Sequence, residues 1–224
     1  MKVYDSLITE INQRMGAFQK QHYHSCTPWK SLDEHHMILR KNAAYELDGT
    51  GFNLLTSEVV LDEIVVIGPE LNQIRYDQKF TRIAIVQIEV DKTEQKAYTL
   101  IKKIDYVKYH LFPDGMMMRS TSRSHKESIR VSKKAIEKGI TFQNLGSLMI
   151  CKMKEIAKVK GVKMIFITDS KADYEIFETM AEKQHMITET LNHVMNSVKF
   201  DCNTCNLKAI CDEVEELREL HFRR

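Results

Sequence analysis

Three cysteines near the end of the sequence have the clearest potential for chemistry. Cys202, Cys205 and Cys211 are spaced C-x2-C-x5-C. Two thiolates separated by two residues can bind one metal ion or cluster, because the turn between them brings both sulfurs to one side. The spacing therefore predicts a metal site with Cys211 as the third ligand. The alternative is three unligated cysteines in a buried turn, since free cysteine also behaves as a small apolar residue.

A fourth ligand is missing from this local motif. His221 follows Cys211 by ten residues and is one candidate. Other candidates are a cysteine of another subunit, an exogenous ligand, or the alternating set His22, His24 and Cys26, which would share one side of an extended segment. That set could also form a second metal site or be ordinary surface residues.

A basic segment, residues 119–134, is the second candidate site. It contains six lysines and arginines against a single acidic residue. Such an excess could bind the phosphates of coenzyme A or an acidic protein partner. The candidate ligand-binding residues are Arg119, Arg123, Arg130 and Lys133. The alternative is a solvated surface without a ligand.

Composition limits the class of protein. The chain has 224 residues, 43% of them hydrophobic, so it can bury a core. Its 33 basic and 31 acidic residues leave a net charge of +2, which argues against binding nucleic acid or anionic membrane as the main task. Asp5 and Glu10 interrupt any signal-peptide core, and no apolar run reaches the length of a membrane span. We therefore expect a cytoplasmic protein. Motifs of nucleotide binding, serine hydrolases and zinc proteases are absent from the sequence.

The hydrophobic pattern predicts the elements that position these residues. Apolar residues at helical spacing predict helices over 3–18, 98–111 and 145–156, and β-branched runs predict strands over 58–67, 81–90 and 162–168. Residues 21–56 are predicted to be mostly irregular. The fold class is α/β or α+β: a central mixed sheet flanked by helices over residues 1–200, then a Cys-rich loop and helix over 201–224.

Local signals refine this prediction. Ser132 and Gly139 should begin and end a short helix. Ser170 and Asp173 should form a capping box that opens the next helix, and a separate helix should cover 186–197. Cys151 is predicted to lie in the core. Cys211 is predicted to begin the final helix, where the helix dipole would favour a thiolate.

Two blocks of this sequence resemble a known family. LLTSEVVLDEIVVIGPELNQI, residues 54–74, and IRVSKKAIEKGITFQNLGSLMICKMKEI, residues 129–156, are similar to the middle domain of acetyl-CoA synthase, the β subunit of the CO dehydrogenase/acetyl-CoA synthase complex of anaerobes. Asp114-Gly115 and Met117 fall where that family has a similar acidic-Gly-x-Met sequence. The resemblance implies an α/β domain followed by a cysteine motif that holds a [4Fe-4S] cluster bridged to nickel.

The resemblance bears on the cysteines residue by residue. Cys202 and Cys205 match the opening C-x2-C of the family's motif, and Cys211 matches its third cysteine after a shortened gap. The fourth cysteine has no counterpart, and His221 lies near its place. The cysteine-glycine-cysteine element that chelates the distal nickel is not found in these residues. The resemblance therefore favours an iron–sulfur cluster over zinc without implying nickel chemistry.

Three hypotheses of function follow. The first is an acetyl-CoA-synthase-like iron–sulfur protein with an accessory or electron-transfer role in one-carbon metabolism, whose partners are CO dehydrogenase or corrinoid-type proteins, or a homo-oligomer. The second is an acyl- or methyl-transfer enzyme that binds coenzyme A. The third is an interaction domain whose cysteines hold zinc and attach the last helix to the domain.

Overall fold

The computed structural model describes residues 2–33, 39–89, 95–121, 125–195 and 205–222. These ranges contain a seven-stranded sheet in the order β1-β3-β7-β4-β2-β6-β5. The strands are β1 (Gln21–His24), β2 (Ala44–Thr56), β3 (Glu63–Ile67), β4 (Gln78–Ile88), β5 (Met116–Ser120), β6 (Lys126–Ser132) and β7 (Val159–Ile167). The pairs β2–β4 and β3–β7 are parallel and the other four are antiparallel, so the sheet is mixed.

Helices pack on this sheet, which confirms the predicted fold class. They are α1 (Asp5–Met15), α2 (Gln95–Val107), α3 (Lys133–Glu137), α4 (Phe142–Lys154), α5 (Tyr174–Met195), α6 (Lys208–Glu213) and α7 (Glu215–Phe222). On one face, Phe142 of α4 stacks on Phe166 of β7 with ring centroids 4.6 Å apart. On the other face, the Thr56 hydroxyl donates to Asp5 of α1. The described helices include none with the length and apolar character needed to cross a membrane.

The prediction that residues 21–56 are mostly irregular is wrong, because this range contains β1 and the 13-residue β2. Glycine and short polar residues have low strand propensity, and Gly49 and Gly51 hide the pattern of β2. The tertiary structure requires those glycines. A Cβ atom at Gly49 would lie 1.7 Å from the carbonyl oxygen of Phe80 on β4. Packing against its two neighbours therefore makes β2 a strand despite its composition.

Several predicted boundaries also differ. The strand predicted from residue 58 begins at Glu63, and the preceding residues form a loop in which Val59 and Leu61 are 81% and 77% exposed. The two helices predicted on either side of residue 186 are the single 22-residue α5. The predicted capping box with Ser170 is wrong. Instead, the Asp173 carboxylate accepts a hydrogen bond from the backbone N–H of Ile176, so the helix begins after Asp173.

Other local predictions are confirmed. The Ser132 hydroxyl accepts a hydrogen bond from the N–H of Ala135 at 3.1 Å and so caps α3. Gly139 has φ +86°, the left-handed conformation expected after a helix. By contrast, Cys151 is exposed on α4 and does not lie in the core as predicted, because it falls on the solvent side of the apolar stripe.

Candidate functional site

The cysteine segment is attached to the domain by its last two helices. Its apolar side chains Ile210, Val214, Leu217 and Leu220 are buried, and α6 and α7 both pack on α5. Their burial removes water from apolar surface and so holds the segment in place. The cysteine segment is therefore held on the domain by its packed helices. The domain boundary near residue 200 stays a prediction.

Two of the four predicted metal ligands have described positions. Cys205 lies in the loop before α6 and Cys211 lies within α6, and both side chains are half-buried. Cys202 and the side chain of His221 lie outside the described part of the structure. Thiolates are soft donors that suit iron–sulfur clusters and zinc, so the donor chemistry of the two cysteines fits a metal. The described residues by themselves contain no group of three or more His, Cys, Asp or Glu side chains placed to hold a metal ion.

The expected position of Cys211 at a helix start is wrong. Cys211 is the fourth of six residues in α6, and its N–H donates to the carbonyl of Leu207 at 3.1 Å. Its amide is therefore used within the helix. The helix dipole favours an anion only in the first turn, so it does not explain a thiolate here.

The His22, His24 and Cys26 set does not form a metal site within the described residues. His22 lies on β1, and its Nδ1 atom is 2.6 Å from the Glu63 carboxylate on the neighbouring β3. Cys26 lies beyond the end of β1, where its N–H donates to the Ser147 hydroxyl. The pairing of β1 with β3 therefore gives His22 its own partner.

The predicted basic site is divided between different contacts. Arg130 on β6 donates two hydrogen bonds to Glu46 on β2, from Nε at 2.9 Å and Nη2 at 2.7 Å. The Lys133 ammonium lies 5.3 Å from the ring centroid of Tyr45. Arg119 is exposed on β5, and Arg123 lies outside the described residues. A coenzyme A site here stays a prediction, and Arg130 could contribute to it only by sharing its charge with Glu46.

A buried ionic cluster that the sequence did not predict lies on β2 and its neighbours. Arg82 on β4 and Glu127 on β6 are 1% and 0% exposed. Two hydrogen bonds join them, Nε to Oε1 at 2.7 Å and Nη2 to Oε2 at 2.8 Å. The Arg82 Nη1 atom also donates to Asn53, whose amide donates to the carboxylate of Asp105 on α2 at 2.7 Å. A bidentate pair with these additional bonds satisfies both buried charges.

The register of the sheet explains how this pair meets. β2 lies between β4 and β6, with Gly51 opposite Arg82 and Gly49 opposite Glu127. Since neither glycine has a side chain, Arg82 and Glu127 can meet over the backbone of β2. The signal available in the sequence was Arg82 itself, a charged residue that directly precedes the apolar run Ile83–Val86.

Beside this pair is a cavity of about 300 Å³. Its polar groups belong to α2, the residue that follows α2, α5 and the loop before β6. Lys108 follows α2, His185 belongs to α5, and His125 precedes β6 with φ +49°. The rings of His125 and His185 are 5.1 Å apart between centroids. Burial, followed by the charges of His185 and the nearby lysines, lowers the pKa of His125 to about 4, so its ring is neutral near pH 7.

Comparisons with known proteins agree with the resemblance. Residues 34–172 match the family described as the CO dehydrogenase/acetyl-CoA synthase complex beta subunit. The chain is also 30% identical over 147 residues to the carbon monoxide dehydrogenase/acetyl-CoA synthase subunit alpha of Moorella thermoacetica, which covers 64% of this chain and 19% of that protein. The chain thus spans less than a fifth of this relative. The family match includes the buried ionic cluster and ends before the cysteine segment.

Proposed function

The chain belongs to the CO dehydrogenase/acetyl-CoA synthase family, and on this premise we propose that it binds an iron–sulfur cluster through its C-terminal cysteines. Its role would be accessory or electron-transferring, in anaerobic one-carbon metabolism, with CO dehydrogenase or corrinoid-type proteins as partners. The observation that carries the proposal is the placement of Cys205 and Cys211. Both thiols are half-buried on a segment that buried apolar residues hold against the domain.

In this proposal each part of the segment has a defined task. Cys202, Cys205 and Cys211 supply thiolates, and His221 supplies a nitrogen ligand or leaves one position to an exogenous or partner ligand. The packed base of α6 and α7 limits movement of the ligands, and half-burial shields the sulfurs partly from water while keeping them reachable by a partner. A bound cluster would supply one-electron transfer, with a potential set by its hydrogen bonds and exposure.

The test is anaerobic purification followed by iron, sulfide and zinc analysis and a visible absorption spectrum. We expect stoichiometric iron and sulfide with the broad absorption of thiolate-to-iron charge transfer. Cys205→Ser should lose most of the iron, whereas Cys151→Ser, which removes an exposed cysteine on α4, should keep it. Stoichiometric zinc in a colourless protein would show that the cysteines hold a structural zinc ion and not a cluster. Equal metal content in Cys205→Ser and the parent protein would contradict the cysteine site itself.

A further inference from the structure

We propose that the cavity beside the Arg82–Glu127 pair is a binding site for a small oxyanion, a carboxylate or phosphate group, held by Lys108 and His125. This site is independent of the cysteine segment. It therefore goes beyond the proposed function, and its test can fail without affecting that proposal.

The cavity has the size and lining of a small-molecule site. Its volume of about 300 Å³ lies at the lower end of the range of roughly 300–1,000 Å³ found for small-molecule sites. Phe52 and Tyr109 supply apolar surface, and Lys108, His125 and His185 supply polar groups. An apolar wall with a few convergent polar groups is the usual form of a site for a small ligand.

The charges around the cavity favour a bound anion. The lysines Lys102 and Lys108 both line the cavity. The acidic groups beside them are already engaged, since Glu127 is bound at both oxygens by Arg82 and the Asp105 carboxylate accepts from Asn53. Burial also raises the pKa of Asp105, which makes its charged form less favourable. The arrangement therefore favours an anion and disfavours a cation.

His125 has a ring nitrogen without a hydrogen-bond partner among the described residues. His125 is 9% exposed, and within the described residues its buried Nε2 atom has no hydrogen-bond partner. A buried polar group without a partner costs free energy, so such a group in a native structure requires an explanation. Because Nε2 is closed to solvent, the His125 ring has to turn for this atom to face the cavity. A neutral ring with its proton on Nε2 would then donate to a bound oxyanion, and this would satisfy the atom.

Lys108 is the second group that a bound anion would stabilise. Burial lowers its pKa, and its ammonium lies 5.3 Å from the Tyr109 ring centroid. An oxyanion within reach of Lys108 would offset the cost of desolvating this charge. Lys102, in contrast, already has a carboxylate nearby, with Nζ 3.5 Å from Glu189. Lys108 and His125 are therefore the two groups with most to gain from a bound anion.

The test titrates the full chain with inorganic phosphate and, separately, with butyrate, at an ionic strength held constant with sodium chloride. Ring ¹⁵N resonances of His125 report binding by NMR. We expect a saturable change with one of the two probes, which identifies the anion as phosphate or carboxylate. Lys108→Met should weaken binding by about ten- to a hundredfold, the scale of one hydrogen bond to a charged group. Lys103 is an exposed lysine on α2 that does not line this cavity, so Lys103→Met should leave the affinity unchanged.

Two further variants keep the result interpretable. His125→Phe removes the ring nitrogens and retains an aromatic ring, so calorimetric binding should weaken as in Lys108→Met. Lys108→Arg, which retains the charge, should bind more tightly than folded Lys108→Met. If circular dichroism shows that Lys108→Met does not fold, His125→Phe is the test, and equal affinity of His125→Phe and the parent protein overturns the proposal. Absence of a saturable His125 response to both anions overturns the proposal. So does equal affinity in folded Lys108→Met and the parent protein.

Discussion

The carboxylate of Glu127 occupies the space that a side chain at Gly51 would need. A Cβ atom built on Gly51 would lie 2.0 Å from Oε2 of Glu127. The same carboxylate is bound by Arg82, which is opposite Gly51 in the sheet. The missing side chain on the central strand is therefore a condition for the ion pair between its two neighbours.

Gly51→Ala should strongly destabilise the protein. The methyl group would displace Glu127 and leave Arg82 as a buried charge without its partner, a loss of roughly 3–5 kcal/mol. Gly139→Ala is the control, because no atom lies within 4 Å of a Cβ added at Gly139, although its φ of +86° is unfavourable for alanine. It should cost only about 1–2 kcal/mol, from backbone strain. Urea unfolding measures both, and a cost in Gly51→Ala no larger than that of the control would contradict the steric argument.

The Arg82–Glu127 pair should be sensitive to removal of one partner and more tolerant of removal of both. Arg82→Met alone should cost roughly 3–5 kcal/mol in free energy of unfolding, because it leaves Glu127 buried without its partner. The double variant Arg82→Met/Glu127→Leu should recover part of that loss. If the double variant instead loses as much as Arg82→Met and Glu127→Leu together, the two charges do not interact. Lys79→Met provides the exposed comparison. Lys79 lies 3.9 Å from Asp48 with both side chains 60% exposed, so its loss should cost less than about 1 kcal/mol.

His125 should make the folded state less stable in acid. Its pKa is about 4 in the folded protein against an ordinary value of 6.5 for histidine, so between these values the unfolded chain binds the extra proton. Stability contributed by neutral His125 is then fully present above pH 6.5 and is lost as the pH falls toward 4, up to about 3 kcal/mol. The raised pKa of Asp105 acts in the opposite direction in the acid range.

This opposition is why the His125 contribution must be measured by difference. The free energy of unfolding is recorded from pH 7 to pH 4 for the parent protein and for His125→Gln. The parent should lose stability more steeply than the variant over this range. Parallel curves, or a His125 resonance that titrates near its usual pKa, would contradict the assignment.

Thiol alkylation should separate the cysteines by position. Cys26 and Cys151 are exposed and should react with iodoacetamide whether or not metal is bound. Cys205 and Cys211 should be protected in the metal-loaded protein, because ligated thiolates are not available to react, and should react after treatment with a chelator. Peptide mass spectrometry measures each site. If chelation does not change alkylation of Cys205 and Cys211, the two residues are not ligands.

Local patterns predicted those elements whose apolar periodicity matches their burial. The stripe of α1 is an example, since Leu7, Ile11 and Met15 are all buried at the expected spacing. The apolar run of β7 is another. The pattern failed for β2, because its strand character depends on neighbours that are distant in the chain. It also divided α5 in two, because a long helix covers different surfaces along its length.

The site residues show the same division. Cysteine spacing in the sequence was sufficient to propose a thiolate site, because ligands close in the chain are close in space. Nothing local indicated that Arg82 would meet Glu127, since 45 residues separate them and they come together only across β2.

The sequence by itself determined the mixed α/β class, the family resemblance and the candidate thiolate ligands, since each depends on neighbouring residues or on a linear pattern. Only the tertiary structure decided that Gly51 makes room for Glu127, that Arg130 already has Glu46 as a partner, and that His125 and Lys108 line one cavity. These relationships depend on strand order and register, which bring together side chains from distant parts of the chain.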